Sequence, residues 1–199
     1  MATAPRVVSP HEPLPARRQT APAQPLASNP SLAIIRAAPE FTLLALDGRP
    51  AGLSDWRGRV VLVSFIYTSC PSACPLVTQR MAALQRRLIE VRLLPSRVGL
   101  VSVTVDPGRD SAEALARYAN AFGADPEGWR FLRESPERLG SVLAAYDEWT
   151  RLLPGGEIDH PARLYLIDPR GRIREIYSLA LFDERQAFLD IQALLREPR

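Results

Sequence analysis

A chain of 199 residues, 46% of them hydrophobic, can fill one core and carry an extension. Its net charge is +3, and its 25 basic residues are all Arg, scattered rather than gathered with aromatics, which argues against nucleic-acid binding. Two cysteines are too few for a disulfide scaffold, so they form a site or a coincidence.

Residues 1–38 read as a Pro/Ala-rich tail. Eight of the 19 prolines precede Phe41, and the apolar patterning is too sparse to offset the entropy of ordering, so disorder is expected. Arg17-Arg18 is followed by no apolar run of useful length, Ser31–Ile35 being too short, so no signal peptide is read. No stretch approaches a membrane span. The folded unit is expected over residues 39–199. It opens with a hairpin, Phe41–Leu46 and Arg49–Leu53, turned at Asp47-Gly48. Val60–Tyr67 is apolar and uncharged, as a strand buried on both faces requires. Cys70 and Cys74 follow it, and a helical pattern runs from Leu76 to about Leu94. Pro75 suits the first helical position, which makes Cys74 the expected N-cap and puts Cys70 in a tight loop. Val98–Val105 reads as a second buried strand, broken by Asp106-Pro107-Gly108. Asp110 or Ser111 then caps a helix to about Phe122. A short strand, Trp129–Leu132, leads to a helix from Ser135-Pro136 to near Trp149 and a loop, Leu153–Pro161. Arg163–Asp168 and Ile173–Tyr177 form a hairpin, and Asp183 opens a last helix to about Leu195. Strands alternating with helices, then a hairpin and a helix, predict an α/β sandwich with a mixed sheet.

The chemistry concentrates where the first buried strand hands over to a helix. The helix dipole favours negative charge there and should lower the thiol pKa. Two thiols facing one point suit a disulfide or a soft ion such as Cu(I). The bland alternative is a pair of core thiols. Three residues separate the cysteines, whereas thioredoxin-like redox motifs have two. His160 lies in a loop just before a strand, and its bland reading is a solvated imidazole; His11 falls in the tail. Asp159 could orient the His160 ring, although sequence neighbours often point apart. Asp106 and Asp110 read as structural first and site rim second, and Tyr67 and Trp149 as packing.

Phe65-Ile-Tyr-Thr-Ser-Cys-Pro-Ser-Ala-Cys-Pro75 resembles the signature of the SCO/SenC family, thioredoxin-like copper-binding proteins that help assemble the binuclear copper site of cytochrome c oxidase. The resemblance runs from roughly Pro39 to Leu195. It includes Val103–Asp110, and Asp159-His160 ahead of Tyr165–Asp168. It implies a thioredoxin-like three-layer sandwich in which Cys70, Cys74 and His160 hold one copper ion, Cu(I) or Cu(II). Two thiolates and an imidazole make a soft trigonal set that also accepts Cu(II). The implied role is a monomeric metallochaperone of the cell envelope, not a turnover enzyme. It would serve the copper-site subunit of cytochrome c oxidase or another copper protein. Family members usually carry an N-terminal membrane anchor, and none is visible here, so membrane association would need an anchor outside this sequence. The alternative is a thiol:disulfide oxidoreductase that reduces partner cysteines through Cys70 and Cys74 and does not need His160. Disulfide exchangers of this fold place a cis-proline where Ala162 stands, one residue after Pro161. Peroxide reduction ranks below both, because the proline of its Pro-x-x-x-Thr-x-x-Cys frame is missing.

Overall fold

Two charge-free runs build the middle of the molecule. In the computed structural model, which describes residues 26, 30–71, 73–179 and 181–198, they are β4 (Val60–Ile66) and β5 (Val98–Thr104). Every residue of both is buried, and they pair in parallel from Val60 opposite Val98 to Ile66 opposite Thr104. The strands before them are β1 (Arg36–Ala37), β2 (Thr42–Ala45) and β3 (Pro50–Gly52). Those after them are β6 (Trp129–Arg133), β7 (Arg151–Leu152), β8 (Ile158–Asp159), β9 (Leu164–Ile167) and β10 (Arg172–Tyr177). The helices are α1 (Ala73–Glu90), α2 (Ala112–Ala121), α3 (Pro136–Ala145) and α4 (Glu184–Arg196). The main sheet runs β1-β10-β9-β4-β5-β6-β2-β3, with β4, β5 and β6 parallel and the other pairings antiparallel.

The parallel β4–β5 and β5–β6 pairings need crossovers, which by the usual right-handed rule set α1 and α2 on one face. Thr78 and Tyr118 accordingly meet across them, hydroxyl to hydroxyl at 2.9 Å, and α4 packs beside α1. Phe131, Ser102 and Ser64 lie opposite one another in the ladder and share that face. Phe65 points the other way, where Tyr146, just past α3, packs on Phe65 and Tyr165. These are three layers with the sheet in the middle. Ser64 and Ser102 are buried, but their hydroxyls meet at 2.9 Å and Trp129 Nε1 donates to Ser102 at 3.0 Å, so the pair carries little desolvation penalty.

Four boundaries differ from the expectation. β1 lies inside the stretch read as tail: Arg36 pairs with Ile173, and the Ile35 N–H donates to Ile173 O at 2.9 Å. Arg36-Ala37 is too brief a strand for periodicity to register, and the outer edge of the hairpin recruits it. The remainder of the disorder expectation falls on residues 1–25 and 27–29, outside the described residues. α1 begins at Ala73, before Pro75. A first-turn N–H has no intrahelical partner, so the missing donor of Pro75 costs nothing at the third position. α1 also ends at Glu90, four residues short of Leu94, and Arg92 follows at φ +56. α3 stops at Ala145, well before Trp149, and the chain turns at Asp147 with φ +57. The stretch read as a loop, Leu153–Pro161, instead carries β8, which pairs with β7 just before it, Arg151 opposite Asp159 and Leu152 opposite Ile158. No helix among the described residues is long and apolar enough to cross a membrane.

Candidate functional site

The first wall of the site grows out of β4. After Tyr67 the chain turns, with the Cys70 N–H donating to Tyr67 O at 3.4 Å. The Cys74 N–H, in the first turn of α1, donates to Cys70 Sγ at 3.3 Å, and the Tyr67 N–H donates to Cys74 Sγ at 3.5 Å. Both cysteines are in the thiol form and buried, Cys70 at 8% exposure and Cys74 at 2%. Burial decides the chemistry of Cys74. It pushes that thiol well above the ordinary range, Cys70 and Asp110 add to the rise, and the Tyr67 N–H opposes it only in part. The expected lowering by the helix terminus is therefore overturned at Cys74: desolvation outweighs the dipole.

Asp110 fastens this wall. Sequence makes it a candidate helix cap, but Ser111 caps α2, accepting the Ala114 N–H at 3.2 Å. That leaves Asp110 to point inward, fully buried. Its carboxylate accepts the Thr68 N–H at 3.1 Å and the hydroxyls of Thr68 and Thr104, each at 2.5 Å. Neighbouring Arg109 pairs with Asp106 and reaches the other wall, donating to Gly156 O at 2.6 Å.

The second wall is the β7–β8 arm, whose tip turns at Gly155 and Gly156 with φ +100 and +88. The phenol oxygen of Tyr67, read from sequence as packing alone, accepts the Ile158 N–H at 3.2 Å and ties the arm to the first wall. Two residues on, the arm delivers His160, whose side chain is only 4% exposed. Its Nε2 stands 4.0 Å from Cys74 Sγ, and its ring meets Tyr67 edge-on at 5.9 Å between centroids. Nδ1 accepts the Ala162 N–H at 3.2 Å. Ala162 holds φ +50, a left-handed conformation rare outside glycine. The cis peptide among the described residues is Leu94–Pro95, so Pro161 does not reproduce the cis-proline of disulfide exchangers.

Asp159 does not orient the ring. It pairs with Arg151 across the ladder at 2.5 Å, as alternation along a strand dictates. The carboxylate beside His160 is Glu148, with Oε2 3.9 Å from Nδ1, a residue the sequence reading passed over. Trp149 is 48% exposed, with Arg151 over its ring.

Cys74 and His160, 86 positions apart, are thus brought face to face. Bonds of about 2.3 Å to sulfur and 2.0 Å to imidazole nitrogen together exceed the gap, so one soft ion can touch both. Among the described residues no three His, Cys, Asp or Glu side chains already converge as a metal cage. Cys70 Sγ lies against the first turn of α1, accepting the Cys74 N–H at 3.3 Å.

Residues 33–196 match the family model described as SCO1/SenC. The mitochondrial SCO2 homolog of Bos taurus is 34% identical over 146 residues, 71% of this chain and 53% of that protein, so the chain spans about half the length of that curated relative. A SCO1/SenC family lipoprotein from Bacillus anthracis superposes with a TM-score of 0.73 at 28% identity, covering 81% of this chain and 96% of that one. Bradyrhizobium japonicum ScoI, solved with copper bound, shares the fold with a TM-score of 0.69 at 24% identity, over 79% of this chain and 99% of its own. The thioredoxin-like expectation holds. With the family model matched across nearly all of the described residues, this chain belongs to the SCO1/SenC family.

Proposed function

We propose that the chain is a copper carrier in the assembly of cytochrome c oxidase, holding one copper ion as cargo on Cys70, Cys74 and His160. The observation that carries this reading is the 4.0 Å approach of His160 Nε2 to Cys74 Sγ, with Cys70 Sγ against the Cys74 amide. Relatives of the same fold solved with copper bound support it. Thiolates supply the soft donors for Cu(I), and the imidazole makes the set acceptable to Cu(II). The two thiols lose their protons as the ion is taken up. Release follows when an incoming thiolate of the copper-site subunit displaces one donor. Both sulfurs are buried, so entry requires a wall to move, rather than the exposed site that carrier function first suggests. We place the monomer at the cell envelope, in keeping with the lipoprotein relative.

Disulfide exchange could use the same cysteines, but it gives no role to a buried histidine facing one of them. Anaerobic titration of the reduced full chain with Cu(I) and with Cu(II), against a competing chelator, tests the carrier reading. One ion per chain is expected, lost on Cys70→Ser or Cys74→Ser. His160→Ala should weaken Cu(II) binding severely and Cu(I) binding less. Normal copper loading of the oxidase in cells carrying His160→Ala would instead support thiol reduction.

A further inference from the structure

His160 Nδ1 faces two groups with opposite demands. The Ala162 N–H donates to it at 3.2 Å, so Nδ1 carries no proton and the neutral ring's proton sits on Nε2, toward Cys74 Sγ. In that tautomer Nε2 offers a metal ion no lone pair. The second group is Glu148 Oε2, at 3.9 Å.

Glu148 is an unusual neighbour. It lies just beyond the turn that ends α3, and its side chain is 0% exposed. Oε1 accepts the Tyr165 hydroxyl at 3.0 Å and has Arg163 at 3.8 Å. Oε2, by contrast, is buried with no hydrogen-bond partner. A buried acceptor left unsatisfied is costly. Here it lies beside the one ring atom whose protonation decides whether Nε2 can bind a metal.

We propose that Glu148 is the positioning residue of the copper site: when copper is held, Oε2 accepts the Nδ1–H of His160 and so presents the Nε2 lone pair to the ion. This rests on His160 being a copper ligand. The ring stays neutral throughout, because Nε2 gives a proton to solvent and Nδ1 takes one. Closing the gap to an ordinary hydrogen bond of about 2.8 Å needs a ring tilt of roughly 1 Å, away from the Ala162 amide. Carboxylates that accept the distal N–H of a metal-bound imidazole orient the ring and raise its basicity. The apo state is then held in the wrong tautomer by a backbone amide, and Glu148 stabilises the right one.

The test uses the reduced, nitrogen-15-labelled full chain, free of metal and loaded with Cu(I), which is diamagnetic. Long-range nitrogen–proton NMR should place the His160 proton on Nε2 without metal and on Nδ1 with Cu(I). A loaded ring still protonated on Nε2 overturns the proposal. In parallel, Glu148→Leu should lose about 10–100-fold in Cu(II) affinity, and less in Cu(I) affinity. Wild-type Cu(II) affinity in Glu148→Leu, with affinity lost in His160→Ala, overturns the role of Glu148 and leaves the carrier reading standing. Wild-type Cu(II) affinity in both variants overturns the proposal and His160 as a ligand together. Should Glu148→Leu not fold, Glu148→Gln carries the test: an uncharged acceptor should shift the Nδ1–H resonance of the Cu(I)-loaded chain and speed its exchange with solvent, and an unmoved resonance counts against Glu148.

Discussion

The loop bearing Cys70 and Cys74 hangs from β4, a strand with every residue buried, while His160 rides on a ladder two residues long, one strand of which is exposed throughout. A fully buried carboxylate with three donors fastens the loop. The arm is held by a backbone donor on a phenol, an arginine at its tip and a surface ion pair. Regions with few buried contacts open locally at low free energy, whereas core elements open only with the whole domain. One wall is thus anchored in the core and the other held near the surface, the division that the carrier reading calls for in a buried site.

The widest gap between the walls should appear with Asp110→Ala. It leaves the Thr68 N–H, the half-buried Thr68 hydroxyl and the buried Thr104 hydroxyl without their acceptor and should cost on the order of 3 kcal/mol. Chemical denaturation should show a lower midpoint, with copper binding lost alongside. A midpoint within experimental error of wild type would break the comparison at its stronger end. Tyr67→Phe is the next step down. Losing the acceptor for the Ile158 N–H should cost about 1 kcal/mol. Hydrogen exchange should quicken at Ile158 and its arm neighbours while β4 amides keep their protection; equal quickening in both would mean that the walls are one unit. Ala162→Gly acts in the opposite sense. Relief of the left-handed alanine should raise stability by up to about 1 kcal/mol, and a fall in melting temperature would show that the alanine side chain matters to the arm in some other way. The smallest effect belongs to Arg151→Ala. Its pair with Asp159 is largely exposed, so about 0.2–1 kcal/mol is at stake. Salt should erase the difference from wild type, and a difference that persists in high salt would point to packing of Arg151 on Trp149 instead.

The firm wall was also the legible one. Val60–Tyr67 and Val98–Val105 announce themselves as continuous apolar runs, and the cysteines stand at the end of the first. Asp183 caps α4 as expected, accepting the Arg185 N–H at 2.8 Å. The arm left no such trace, because two-residue strands such as Arg151-Leu152 show no period. Glu148 was hidden for a different reason. A charged residue after a helix reads as solvated, and only Tyr165 and Arg163, brought up by β9, make its burial tolerable. Sequence leaves the α2 cap open between Asp110 and Ser111, because both suit it and the choice depends on Thr68, 42 residues earlier. The thiol of Cys74 was misjudged because sequence locates a helix terminus but not how deeply it is sunk.

Arg109 and Asp110 are consecutive, yet they serve opposite walls, the first at the Gly156 carbonyl and the second at Thr68. A single peptide unit therefore links the anchorage of the fixed wall to that of the arm, so the two halves of the site share one short stretch of backbone.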